Sequence, residues 1–473
     1  MQSGPERLVV VSNRIPITIS VENGGVTAVP SSGGLVTALQ PLLQEHGGTW
    51  VGSVDVEETP EVHKALEEAT KEESFRYLPV FLTKDEQVNF YQGFSNEIIW
   101  PLFHDLQSRC IFDPKYWTYY LQVNEKFAAA SLQACEAADL IWIHDYQLMQ
   151  LARDLRSAGC KSKLAFFMHI PFPPPDIFAK LPWRKSVIEG LLDHDLVGFQ
   201  TERDERNFLS CLNIFVPDAE VGEHGGAHVI ELRGRRTHAG AFPISIDFES
   251  YSQAAGEGVV EERIKKIRED VGEVRIALGI DRLDYTKGIP ERLRAFASFL
   301  RDFPHFRHKV TLFQVVVPSR ESIQQYQELK QEIEALVTKI NGEFSQPGWI
   351  PINYMHRSIP RDELLALYRS AEVALVTPLK DGMNLVAKEY CAAKVDETGV
   401  LVLSEFAGAA PELENGAILV NPYDEVGTAQ ALNQAFSMDC NEQLERMRRL
   451  RAQIKEHSIL AWRNCLFSRL EAA

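Results

Sequence analysis

Thr377-Pro-Leu-Lys-Asp-Gly-Met-Asn-Leu-Val-Ala-Lys-Glu389 continues a strand-like run, Glu372 to Val376, and leads into Leu385-Val-Ala-Lys-Glu-Tyr-Cys-Ala-Ala393, which reads as a helix. One acid and one glycine, Asp381-Gly382, make the junction. Free backbone N–H groups and the positive end of a helix dipole therefore sit beside a carboxylate. That pairing suits a sugar attached to a phosphate: amides take the anion, Asp381 accepts from sugar hydroxyls, and Glu389, one turn into the helix, is placed to reach a ribose diol. The junction points to a nucleotide-sugar enzyme.

Working outward, the same strand-to-helix grammar repeats. Leu8 to Asn13, Leu140 to Ile143, Leu164 to Met168 and Leu196 to Phe199 are buried-strand candidates in the first half. Val274 to Ile280, Val310 to Val317, Val373 to Val376 and Val400 to Leu403 are their counterparts in the second. Runs apolar on both faces and separated by helices imply parallel sheets covered on both sides. The expected class is α/β, with two doubly wound Rossmann-like domains facing a cleft. The polar stretch Val216 to Gly240 suits an antiparallel hairpin, and Ala241 to Asp247 reads as the crossing between domains. The boundaries expected are 1–243 for the first domain and 244–457 for the second, with the helical end 458–473, carrying Trp462 and Phe467, packing back on the first.

In such sheets ligands bind beyond the carboxyl ends of the strands. Arg14, His144-Asp145, His169, Arg282, Arg320 and Asp381 all fall at or just after those ends. Chance places one or two polar groups there; the whole set converges on one cleft.

Composition removes other classes. A chain of 473 residues with 45% hydrophobic and 24% charged residues is a soluble globular protein of two or three domains. A formal net charge of −17 opposes general binding to nucleic acid or anionic membrane, while leaving room for local cations around a phosphorylated substrate. No apolar run of about eighteen residues appears and the N-terminus lacks a signal-peptide layout. Seven scattered cysteines without a C-x-x-C pair read as reduced thiols in a cytoplasmic protein.

Asp281-Arg-Leu-Asp-Tyr-Thr-Lys-Gly288 places Arg282 and Lys287 between a strand and a helix that opens near Pro290. Opposite a diphosphate they would neutralise charge that grows as the leaving group departs; the rival reading is a surface loop with ordinary salt bridges. Ser31-Ser-Gly-Gly-Leu35 is either a ligand-approaching helix start or a hinge. It is not a G-x-G-x-x-G fingerprint, and no Walker motif or G-x-S-x-G elbow occurs, so dehydrogenase, P-loop and acyl-transfer readings lose ground. Asp145 can hold an acceptor hydroxyl, and His169 can donate to a sugar hydroxyl or stabilise the anomeric carbon through its carbonyl; each His also has a structural reading. Two His without a carboxylate at ligand spacing give no metal site. Trp50, Tyr91 and Trp100 are either core or ligand-facing, and Phe94 to His104 is dense in aromatics for a loop-rich segment.

Together, Val11-Ser-Asn-Arg-Ile-Pro16, Ser32-Gly-Gly-Leu35, Trp100-Pro-Leu-Phe-His104, Ile141-Trp-Ile-His-Asp-Tyr146, His169-Ile-Pro-Phe-Pro173, Gly198-Phe-Gln-Thr-Glu202, Arg282-Leu-Asp-Tyr-Thr-Lys-Gly288 and the Asp381–Glu389 segment resemble the trehalose-6-phosphate synthase family, in its order, from Leu8 to about Leu466. The resemblance implies the two-domain glycosyltransferase B fold, no metal and no cofactor. It implies transfer of glucose with retention from a nucleotide diphosphate glucose, usually UDP-glucose, to glucose 6-phosphate. Gly33, Gly34, Arg282, Lys287, Asp381, Gly382, Met383, Asn384, Leu385, Val386 and Glu389 would form the donor site, with His169 and Asp381 on the transferred glucose. Arg14, Tyr91 and Arg320 would meet the acceptor phosphate, while Asp145, Trp100 and Trp50 line the acceptor sugar. Asp145, His169, Arg282, Lys287 and Asp381 would carry the chemistry, by front-face transfer in which a leaving phosphate oxygen takes the acceptor proton.

A homo-oligomer and a separate downstream trehalose-6-phosphate phosphatase are also expected, since no Asp-x-Asp phosphatase signature follows. The stretch Thr18 to Ser31 looks like an insertion with the character of a lid. Ile280-Asp281 and Thr286 are mild departures from the family pattern. The rivals are a relative using another acceptor or a GDP or ADP donor, a pseudo-glycosyltransferase, a silent sugar-phosphate sensor, and a glycogen-synthase-like enzyme. A silent member should have lost phosphate-gripping cations, and the last should lack the set Arg14, Tyr91 and Arg320.

Overall fold

The structure, a computed structural model, describes residues 7–22, 25–30, 34–136, 139–224, 227–320 and 323–472. The chain forms two compact units: Met1–Ile244 together with Trp462–Ala473, and Ser245–Ala461.

In the first unit the strands are β1 (Leu8–Arg14), β2 (Ile17–Glu22), β3 (Gly25–Pro30), β4 (Gly48–Val54), β5 (Phe75–Phe81), β6 (Leu140–His144), β7 (Lys163–Phe167), β8 (Leu196–Phe199), β9 (Glu220–His224), β10 (Ala227–Leu232) and β11 (Arg235–Ala241). The main sheet runs β5-β4-β1-β6-β7-β8-β11-β10-β9. From β5 to β11 every pairing is parallel, and the antiparallel pairings are those of β10 with β11 and with β9, within the polar stretch read as a hairpin. Its first six strands follow the order 3-2-1-4-5-6 of a dinucleotide-binding sheet, whose topological switch lies between β1 and β6. Every residue of β6 is buried, as a run apolar on both faces demands.

In the second unit β12 (Arg275–Arg282), β13 (Val310–Val317), β14 (Ile352–His356), β15 (Val373–Val376), β16 (Val400–Ser404) and β17 (Ile418–Val420) form a sheet of order β14-β13-β12-β15-β16-β17. All its pairings are parallel, so this unit repeats the same order and places its switch between β12 and β15. The crossover after β12 is the helix Ile289–Asp302, with Pro290 in its first turn and Ile289, Leu293, Phe296 and Leu300 buried at helical spacing.

The chain's last helix, Ile459–Ala472, starts in the second unit and from Trp462 onward belongs to the first. Trp462 stacks on Trp142 at 5.2 Å and its indole donates to the Phe242 carbonyl at 3.1 Å; Phe467 lies 5.6 Å from Trp142. Removing a buried indole of this kind costs about 3–5 kcal/mol. Thr18 to Ser31, read as a lid, folds over its described part as a separate ribbon of β2 against β3. Ser31, Ser32 and Gly33 lie outside the described residues, and Gly34 begins the helix Gly34–His46.

Candidate active site

At the switch point of the first unit, β1 ends on Arg14 and β6 ends on His144, followed by Asp145. Asp145 holds φ 76° and ψ 167°, a region that a side chain rarely enters and that costs about 1–3 kcal/mol. Its backbone N–H donates to the Phe167 carbonyl at 2.8 Å, and its carboxylate accepts from the His169 N–H at 3.2 Å. Two strand ends are thereby tied together. His144 Nδ1 lies 3.1 Å from His169 Nε2. Burial lowers the His169 pKa to about 3, and burial followed by His169 itself lowers that of His144 well below the ordinary value, so both rings are neutral at physiological pH.

Arg14 is half-exposed, lies 5.4 Å over the Tyr91 ring and is ion-paired with Asp55. Tyr91 belongs to a π-helical stretch, Gln87–Ile99, of the kind found at functional sites. Asn96, buried, spans the wider turn: its amide donates to the Tyr91 carbonyl at 2.6 Å and its oxygen accepts from Tyr146 at 3.1 Å. Trp100 ends the stretch with 5% exposure, its ring 5.9 Å from Tyr146, beside Asp145. Trp50 is 1% exposed in the centre of β4, with its indole donating to Ser12 Oγ at 2.8 Å, which places it in the core of the sheet.

The second unit builds its half from loops after β12, β13 and β15. Leu283 donates to Val317 at 2.7 Å, extending the ladder past Arg282, which is exposed. Asp284 then caps the turn Tyr285–Lys287, accepting from the Thr286 N–H and hydroxyl at 3.0 Å each. Gly288 has φ +64°, and a Cβ there would come within 2.3 Å of the Thr377 carbonyl, so the two loops can meet only at a glycine. Leu379 N–H donates to Thr286 at 2.7 Å across the same seam.

Lys287 Nζ and Asp381 Oδ2 are 2.5 Å apart, with side chains 12% and 14% exposed. Beneath them Arg292, fully buried, donates to Asp281 at 2.5 Å, to Thr377 at 3.0 Å and to the Lys287 carbonyl at 3.4 Å. Asn384, at φ 79°, donates to Asp381 Oδ2 at 3.0 Å, and no side chain caps the helix Leu385–Ala393 that follows. The start of that helix presents backbone N–H groups and the positive end of its dipole, an arrangement that suits an anion. The loop is stitched to Glu405–Ala409: Asp381 N–H donates to Phe406, Gly408 to Asp381 and Ala409 to Met383, at 3.3, 3.1 and 2.8 Å. A Cβ on Gly408 would lie 1.7 Å from the Gly382 carbonyl. Glu389 accepts from Tyr368 at 2.8 Å; burial raises its pKa, against hydrogen bonds from Tyr368 and Tyr251.

Arg320, at φ 51° after β13, donates to the Tyr326 hydroxyl at 2.7 Å. Among the described residues no group of three or more His, Cys, Asp or Glu is arranged to hold a metal, and no helix is long and apolar enough to cross a membrane.

The structure thus gathers Arg14, Tyr91, Trp100, Asp145 and His169 around the first unit's switch point. It gathers Arg282, Lys287, Arg320 and the segment from Asp381 to Glu389 around the second's. Sequence reasoning passed over Asp55, Asp284, Arg292, Tyr368 and Gly408. Only Asp284 had a local signal, an acid set between two cations in one short motif.

Two Rossmann-type units, with cations and a dipole-bearing loop at their switch points, define a nucleotide-sugar-dependent transferase architecture. The description of glycosyltransferase family 20 matches residues 6–472, and the chain belongs to that family. It is 42% identical over 466 residues to a trehalose-6-phosphate synthase of Mycobacterium sp. (strain JLS), covering 97% of this chain and 95% of the relative. A UDP-forming α,α-trehalose-phosphate synthase from Burkholderia xenovorans, solved with glucose-6-phosphate, superposes with TM-score 0.88 at 34% identity, covering 98% of this chain and 100% of that one. An E. coli structure described as trehalose-6-phosphate bound with UDP-2-fluoro glucose gives TM-score 0.88 at 34% identity over 99% of both chains.

Proposed function

We propose that the chain transfers glucose from UDP-glucose to glucose 6-phosphate with retention, forming α,α-trehalose 6-phosphate and UDP. The observation that carries this reading is the donor half: Lys287 on Asp381 beside an uncapped helix start, flanking the switch point of a 3-2-1-4-5-6 sheet. The bond between the donor anomeric carbon and the β-phosphate oxygen breaks, and negative charge grows on the diphosphate. Arg282, Lys287 and the amides at Asn384 and Leu385 are disposed to stabilise that charge. The acceptor hydroxyl forms the new bond at the same face and passes its proton to the departing phosphate oxygen. Asp381 and His169 hold the transferred glucose; with its ring neutral, His169 serves as hydrogen-bond partner rather than as an acid. Glu389, steadied by Tyr368, takes the ribose.

In this reading the first unit serves the acceptor, with Arg14, Tyr91, Trp100 and Asp145, and Arg320 of the second adds its charge to the 6-phosphate. The enzyme acts in the cytoplasm, a placement supported by its free cysteines; it works as a homo-oligomer and leaves its product to a separate phosphatase. Incubation with glucose 6-phosphate and UDP-, ADP- or GDP-glucose in turn, with and without EDTA, followed by NMR of the product, tests it. An α,α-1,1 linkage bearing one 6-phosphate, fastest with UDP-glucose and insensitive to EDTA, is expected. Another linkage, or no transfer to glucose 6-phosphate, overturns it.

A further inference from the structure

Arg320 lies in a left-handed backbone conformation with its side chain only 8% exposed. A guanidinium so enclosed takes its direction from its neighbours rather than from water. On one side the Tyr326 hydroxyl accepts from Nη1 at 2.7 Å, with the guanidinium carbon 5.7 Å from the ring centre. On the other, Asp284 Oδ2 lies 3.8 Å from the same nitrogen. Asp284 is 1% exposed, and its second oxygen is occupied by the Thr286 N–H and hydroxyl, so the carboxylate cannot swing away. It comes from the turn after β12 whereas Arg320 follows β13, so the contact bridges two neighbouring strand ends. Burial pushes the Asp284 carboxyl up, yet Arg320, Arg282 and Lys287 together hold it below its ordinary value. One fixed carboxylate is thus shared by the cations read above as belonging to two different substrates.

We propose that Asp284, assisted by Tyr326, is a positioning residue that aims Arg320 at the acceptor phosphate from the same anchor that balances Arg282 and Lys287. The proposal rests on the reading of Arg320 as a ligand of the 6-phosphate. Steady-state kinetics on the full chain, with glucose 6-phosphate varied at saturating UDP-glucose, compare Arg320→Gln, Asp284→Asn, their double variant and Tyr326→Phe. Arg320→Gln should raise the acceptor KM about tenfold or more, the loss of a charge-assisted contact. Asp284→Asn, which keeps shape and removes charge, should raise it roughly fivefold, and the double variant should be within about twofold of Arg320→Gln because the effects share one path. With unphosphorylated glucose as acceptor the two single variants should not differ in KM from the parent.

A folded Asp284→Asn with unchanged acceptor KM, or a double variant whose KM rise is the product of the single ones, overturns the inference. If Asp284→Asn does not fold, Tyr326→Phe decides. A rise of about threefold in acceptor KM with donor KM unchanged supports aiming through the guanidinium, and no rise overturns it. If Arg320→Gln itself leaves the acceptor KM unchanged, the assignment of Arg320 to the 6-phosphate has failed, and this inference falls with it. A failure confined to Asp284→Asn or Tyr326→Phe leaves that assignment standing.

Discussion

Replacing Lys287 with Met keeps the length of the side chain and removes its charge, leaving Asp381 with Asn384 Nδ2 at 3.0 Å but without its ion-pair partner at 2.5 Å. Breaking a fully buried pair costs about 3–5 kcal/mol because one charge is left uncompensated. Side chains here are 12% and 14% exposed and one hydrogen bond to Asp381 survives, so about 1–3 kcal/mol is expected. In a unit the size of Ser245–Ala461 that lowers Tm by several degrees and leaves the protein folded at 25 °C. The catalytic loss should be larger: a preorganised stabiliser of transition-state charge is worth about 10²–10³ in kcat. Single-turnover product formation at saturating substrates, with Tm measured in parallel, reads both. The double variant Lys287→Met, Asp381→Asn separates them, since it also removes the Asp381 charge and should recover Tm without recovering kcat. A folded Lys287→Met with kcat within about threefold of the parent would refute the argument that this cation meets the leaving diphosphate.

Gly408→Ala should weaken donor binding measured by calorimetry, because its Cβ would lie 1.7 Å from the Gly382 carbonyl and the Asp381 loop must shift; unaltered UDP affinity would contradict this. Arg14→Ala should raise the acceptor KM about tenfold while UDP affinity measured alone stays constant; loss of UDP binding with intact acceptor affinity would show the subsites exchanged. Burial holds His169 and His194 near a pKa of about 3 in the folded state, and His144 well below the ordinary value. The unfolded chain therefore binds protons from about pH 6.5 downward that the folded chain refuses, and stability falls with pH from there to about 3. Urea titrations at pH 7 and 5 should show the loss, smaller in His194→Gln, and a stability independent of pH over that interval would refute it.

The fold was legible because strands buried on both faces leave a nearly continuous apolar signature: Val310–Val317, Val373–Val376 and the helix Leu385–Ala393 stand where their sequences place them. Weaker runs hid. β4 carries two glycines and a serine, and β5 a proline and an arginine, so pattern alone did not separate them from loops. The partner of Trp50 was hidden for the same reason: its indole N–H invites a ligand, but Ser12, 38 residues earlier, takes the hydrogen bond inside the sheet. The π-helical turn around Tyr91 follows from packing and a spanning side chain at Asn96, which no period in the sequence announces.

The cations of the site were legible, their pairings were not, and the difference bears on how an acidic chain receives two anions. Carboxylates stand beside cations of both half-sites: Asp55 with Arg14, Asp284 with Arg320, Asp381 with Lys287. Sequence separations of 41 and 94 residues put the first and last beyond any local motif. The pairs differ in burial, and burial decides what a substrate can displace. Arg14 and Asp55 are both half-exposed, a pair worth about 0–1 kcal/mol, so a phosphate contact worth about 1.5–3 kcal/mol can take its place. Arg320 and Asp284 are enclosed, so phosphate must add to that pair rather than replace it. Lys287 and Asp381 are nearly as enclosed, and both are assigned to the donor. A nucleotide sugar brings a phosphate for one and hydroxyls for the other, so it can part the pair while giving each member a new partner. Free UDP brings only the first of these and leaves Asp381 without hydroxyl partners. On this reasoning the sugar-bearing nucleotide satisfies the loop better than the spent one, which favours exchange of product for substrate.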